Sequence, residues 1–121
     1  MATTAIQIEL DGAKTDYVRG ELLSGSVTVY SASLDEPLRA ELSVLWYTEG
    51  KGDEDLGVVH FQTLAEDAAV LGTHSYRFEL MLPVLPLTYH GKLVKIHWTV
   101  RVRVQHATGE DAVLDQPFIV T

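Results

Sequence analysis

Apolar residues recur at every second position through most of this sequence, and no amphipathic helical stretch competes with them. Ile6, Ile8 and Leu10 alternate with Gln7 and Glu9, and Val27 and Val29 alternate with Thr28 and Tyr30. Leu38 to Glu49 sets Leu38, Ala40, Leu42, Val44 and Trp46 on one face. His74 to Leu82 does the same with Tyr76, Phe78, Leu80 and Leu82. Leu93 to Gln105 is the longest run, Leu56 to Leu64 is of mixed polarity, and Val113 to Val120 closes the set. Turn residues separate the segments: Asp11-Gly12, Gly50 through Asp55, the break at Pro83, Pro86 and Gly91, and His106 through Asp111. Ala65 through Ala69 suits one helical turn or a loop. This pattern predicts an all-β fold, an antiparallel immunoglobulin-like sandwich of about seven strands, each with one buried and one wet face. It also predicts a single domain over 1–121, without repeats or linkers.

The two long runs carry the two tryptophans and are expected side by side, both tryptophans in one core. One register satisfies both of their faces. Trp46 then stands opposite Trp98, Val44 opposite Val100 and Leu42 opposite Val102. On the wet face Glu49 faces Lys95, Glu41 faces Arg103 and Tyr47 faces His97. A slip by one residue would set apolar against polar side chains along the whole length.

The chain has 121 residues, of which 46% are hydrophobic and 21% charged, so it has the composition of a globular protein and enough length for a core. It contains no cysteine, which excludes disulfides, thiolate metal sites and a cysteine nucleophile. A net charge of −8 disfavours nucleic acid and anionic lipid as partners. No stretch approaches the roughly 20 apolar residues of a membrane span. The opening residues have neither the basic region nor the apolar run of a secretory leader. A cytoplasmic location is the expectation.

Motifs for chemistry are few. Gly20 through Ser26 has the glycine spacing of a phosphate loop, but Ser26 occupies the lysine position and a strand follows, so it reads as a turn. His60, His74, His90, His97 and His106 lack the close spacing of metal ligands. Asp53, Glu54 and Asp55 read as a solvated hairpin tip, and Pro83 through Pro86 as a stiff connection between strands. There is no G-x-S-x-G elbow. No catalytic residue, metal or cofactor is expected.

Charge is distributed unevenly. From Leu80 to Gly109 there are four cations, Lys92, Lys95, Arg101 and Arg103, and no acid, while the remainder carries five cations against 17 acids. Lys95, His97, Arg101 and Arg103 share one parity and line the wet face of one strand. With Lys92 they form a basic stripe suited to a phosphorylated or acidic partner. Alternatively, cross-strand ion pairs with neighbouring acids occupy it.

Two stretches carry a resemblance. Tyr17 to Val29 (YVRGELLSGSVTV) resembles the extended loop, glycine and G-x-V-x-V strand that open the N-terminal half of the arrestin-like superfamily. Phe78 to Gly91 (FELMLPVLPLTYHG) and Ile96 to Val104 (IHWTVRVRV) are similar to its strand, proline-rich loop with aromatic-x-Gly, and long following strand. In such a motif Tyr89 would fold over the core edge, and Gly91 would allow a backbone angle that other residues resist. The superfamily includes arrestins, a retromer subunit and bacterial sporulation-control proteins. The resemblance implies a non-enzymatic adaptor or scaffold acting through protein contacts. Those relatives have two sandwiches in tandem, and this chain has the length of one; a homodimer would rebuild a two-sandwich surface. No functional residue is carried over. A ligand-binding β-domain for a sugar or small molecule, and a structural subunit assembling through edge strands, are the alternatives.

Overall fold

All seven expected segments form strands in the computed structural model, which describes residues 4–31, 37–52, 54–66, 70, 72–107 and 110–121. In chain order the strands are β1 (Thr4–Leu10), β2 (Asp16–Tyr17), β3 (Leu22–Ser31), β4 (Pro37–Gly50), β5 (Leu56–Glu66), β6 (Gly72–Met81), β7 (Tyr89–His90), β8 (Val94–His106) and β9 (Ala112–Val120). A 3-10 turn, Asp11–Ala13, follows β1. Two sheets result. One has three strands in the order β1-β3-β6; the other has six, in the order β2-β9-β8-β4-β5, with β7 on β8.

The β4–β8 register is the one that the two-face argument selects. Trp46 is the partner of Trp98, Val44 of Val100, Leu42 of Val102, Tyr47 of His97, Glu49 of Lys95 and Glu41 of Arg103. Core-facing Leu42, Val44, Trp98, Val100, Val102 and Val104 meet Leu23, Val27, Val29 and Phe78 of the opposing sheet in one buried cluster. Trp98 is 1% exposed, and its Nε1–H donates to the Pro86 carbonyl at 2.9 Å. The Pro83–Pro86 segment thus connects β6 to β7 and is fastened to the core through this bond. Trp46 is half-buried at the margin of the cluster, because Gly57 of β5 lies beneath its indole. A Cβ on Gly57 would lie 2.3 Å from the Trp46 Nε1.

Several expectations change. Two of the nine strands among the described residues, β2 and β7, have only two residues, and β2 runs parallel to β9. The extended loop before β3 lies along the last strand, with Ile119 N bonded to Thr15 O and Thr121 N to Tyr17 O, each at 2.9 Å. Two residues carry no readable period, so the alternation could not reveal this parallel pair. Tyr89 is exposed on β7 instead of covering the core. Gly91 lies under the Tyr89 ring: a Cβ there would meet that ring at 2.4 Å and displace it, and the Gly91 backbone is not left-handed. β5 runs through Ala65 and Glu66 as strand, whereas 67–69 lie outside the described residues, as do Asp53 of the hairpin tip and the Leu38 side chain.

Candidate functional site

The basic stripe lies on the outer face of the six-stranded sheet, the face turned away from the core. Lys95, His97, Arg101 and Arg103 alternate along β8, while Lys92 is exposed in the turn before that strand. The structure divides them. Arg101 holds Asp115 of β9 through two bonds, Nε to Oδ1 at 2.8 Å and Nη2 to Oδ2 at 3.1 Å. These bonds raise the guanidinium pKa above its ordinary value. Arg103 stands 3.9 Å from Asp111. The Nε2 of His97 is 3.0 Å from Glu49 Oε1, and its ring stacks on Tyr47 at 5.0 Å between centroids. The His90 ring lies 5.6 Å from His97 on the other side. The Glu49 carboxyl titrates below its ordinary range, chiefly through its hydrogen bond with His97 and then through the charge of that ring and of Lys95.

Glu49 and Glu41 were expected to pair with Lys95 and Arg103, and here the structure differs. Glu49 engages His97 on the diagonal, and Glu41 pairs with Arg39 of its own strand at 3.1 Å. The arginines are neutralised from the other side, by Asp115 of β9 and by Asp111 in the turn before it. Part of that signal lay in the sequence: Asp115 falls in the last segment and stands opposite Arg101 once β9 flanks β8, whereas Asp111 belongs to the turn just before β9. Among the described residues, Lys92 and Lys95 are the stripe members without an ion pair.

The same face also has an apolar half that the stripe drew attention away from. Val58, Leu45, Thr99 and Pro117 form one row across β5, β4, β8 and β9. Leu45 and Thr99 are buried although they point away from the core. Towards the open side Leu56, Val58 and Phe61 are 55%, 51% and 53% exposed. Glu49, Glu54 and Asp55 form an acidic rim beside Leu56, lining an open groove of about 560 Å³ with Tyr47, Thr48 and Arg101. A second open groove, about 510 Å³, lies at the far edge between Ile8, Asp11, Lys14 and Gln116. Among the described residues no three His, Asp or Glu side chains gather as metal ligands, and no helix is long and apolar enough to cross a membrane.

No family model matches the chain, and no curated protein matches it. A solved structure does: Spo0M, a sporulation control protein from Bacillus subtilis, superposes with a TM-score of 0.67 over 98% of this chain at 18% identity. The chain spans about half of that protein's length, 49%. At this identity the likeness concerns the fold. With two sheets packed around one core and the register of the long strands in place, the chain has an arrestin-like β-sandwich fold.

Proposed function

We propose that the chain is a non-catalytic adaptor module that binds a protein partner through the outer face of its larger sheet. One observation carries this reading: Leu56, Val58 and Phe61, three large apolar side chains, are each about half exposed on one strand at the margin of that face. Apolar side chains grouped in this way, rimmed by polar residues, are typical of a contact surface. The arrestin-like fold supports an adaptor role by analogy of fold alone. The charge of −8 favours a basic protein surface over nucleic acid or anionic lipid. A cytoplasmic setting suits a chain that contains no cysteine to oxidise. A small-molecule site is less well supported, because both grooves are wide open and mix charged with apolar side chains, whereas ligand pockets are enclosed and mostly apolar.

A photo-crosslinking residue at position 61, compared with one at the exposed Met81 of the other sheet, tests the proposal. Position 61 should give a saturable protein adduct in extracts of the source cell, and Val58→Lys should abolish it without changing the melting temperature. Equal adducts from both positions, or none from position 61, would remove the outer sheet face as the contact surface.

A further inference from the structure

Resting on that reading, we infer that the partner contributes an extended segment that joins the free edge of β5 as an added strand, with a cationic residue beside Leu56. β5 ends the six-stranded sheet, and among the described residues only β4 pairs with it. The hydrogen-bond pattern fixes which groups its edge presents. Thr48 N–H donates to the Asp55 carbonyl at 2.9 Å. In an antiparallel ladder residues alternate between facing the partner strand and facing away. Leu56 and Val58 therefore direct their N–H and C=O groups away from β4. Consistent with this, the Leu56 N–H is taken up by the Asp55 side chain at 3.1 Å. Val59 is unpaired in the β4–β5 register, and after this bulge the alternation resumes and turns Phe61 and Thr63 outward. The residues that offer edge hydrogen bonds are thus the ones whose side chains form the exposed outer face.

Sheet edges normally carry charges, or are short or covered, to prevent such pairing. The other edges here follow that rule. β6 places Arg77 and Glu79 on its exposed positions, β1 carries Glu9 and packs near β9, and β9, which β2 covers at only two residues, carries Asp115 and Pro117 along the rest. From Leu56 to Ala65, β5 has no Asp, Glu, Lys or Arg. Its two bulges, at Val59 and Leu64, interrupt the edge without charging it.

Charge complementarity decides between a second copy and a different protein. An antiparallel pair of β5 strands would bring the Glu54–Asp55 end of one copy against the Glu66 end of the other, with a charge of −8 on each chain. Like charges placed opposite one another destabilise such a pair. A segment with alternating apolar residues and a Lys or Arg at the Leu56 end instead meets Glu49, Glu54 and Asp55, none of which has a Lys or Arg ion pair among the described residues.

The test uses the whole chain, labelled with 15N, and synthetic seven-residue peptides. In these, Val and Thr alternate after a Lys-Arg pair or before one; controls carry Glu-Glu in place of Lys-Arg, or alternate N-methyl groups. One Lys-Arg peptide should slow amide exchange at Val58, Phe61 and Thr63 by about tenfold or more while Gly57 is unaffected. Glu-Glu and N-methyl peptides should bind at least about tenfold more weakly, and added salt should weaken the Lys-Arg peptide. Side-chain shifts at Val58 and Phe61 without amide protection would overturn strand addition and leave the face-contact reading intact. Protection that grows with protein concentration alone would make a second copy the occupant and overturn the proposal. No response to any peptide would also overturn it, whereas the crosslinking at position 61 judges the face-contact reading independently.

Discussion

Trp46 stands directly opposite Trp98 across the β4–β8 pair, yet the two indoles have different surroundings. Trp98 is enclosed by the core and bonded to the Pro86 carbonyl, with Phe118 at 5.8 Å between ring centroids. Trp46 leans over Gly57 at the margin. Trp98→Ala removes a buried aromatic and should destabilise the protein by about 3–5 kcal/mol. Trp98→Phe keeps most of the volume but leaves the Pro86 carbonyl without its donor, and should cost less. Urea unfolding measures both; a loss below about 1 kcal/mol for the alanine variant would place Trp98 outside the core.

Gly57→Ala tests the margin. The added methyl would overlap the Trp46 ring and force it to move, a change that typically costs about 1–3 kcal/mol. Gly52→Ala, in open space at a left-handed turn, should act through backbone strain and leave Trp46 fluorescence unchanged. An unshifted unfolding midpoint and Trp46 emission in Gly57→Ala would contradict the packing described.

The long strands were legible in the sequence because their two faces differ: between Ala40 and Trp46 of β4 and between Val94 and Val104 of β8 the even positions are apolar and the odd ones, Leu45 excepted, polar, so one register satisfies both. The parallel β2–β9 contact was not legible, since Asp16 and Tyr17 are held by backbone bonds to a distant strand. On the outer face the cations were found and their partners misassigned. Asp115 had the right parity, but strand adjacency is a tertiary fact, and Asp111 sits in the turn before β9. The apolar half of the face was obscured because the bulges at Val59 and Leu64 twice break the period of β5, so Leu56, Val58 and Phe61 do not read as one face. Tyr89 and Gly91 matched a scaffold motif, but the ring turned to the glycine and away from the core.

Acid should weaken the fold through Asp11. Its carboxylate accepts from Arg77 Nη1 at 2.8 Å, Arg77 Nη2 at 2.5 Å and Ser24 Oγ at 2.7 Å. Chiefly through Arg77, these bonds lower its pKa from 3.8 to about 2. A carboxyl with a depressed folded pKa adds stability that is present above its unfolded value and lost as pH falls towards the folded one. Stability should therefore decline between pH 3.8 and about 2, and Asp11→Asn should flatten that decline. Unfolding curves of both proteins across this range decide; parallel curves would contradict the assignment.

Arg101 and Asp115 should be coupled more strongly than Arg103 and Asp111. The first pair is joined by two hydrogen bonds, while the second is 3.9 Å apart. Exposed pairs contribute about 0.2–1 kcal/mol, and the bidentate one belongs at the upper end of that range. Double-mutant cycles to alanine measure both couplings. Equal values, or a larger one for Arg103, would mean that the stripe is organised differently on its β9 side.

Amide hydrogen exchange on the protein alone tests most directly whether β5 offers an open edge beneath an exposed apolar face. Val58, Phe61 and Thr63 should exchange within about tenfold of unprotected rates, while Gly57, His60 and Gln62, which face β4, should be strongly protected. This contrast should not change with protein concentration. Protection of all six alike in dilute solution would mean that the edge is already covered, and would contradict a contact surface built on β5.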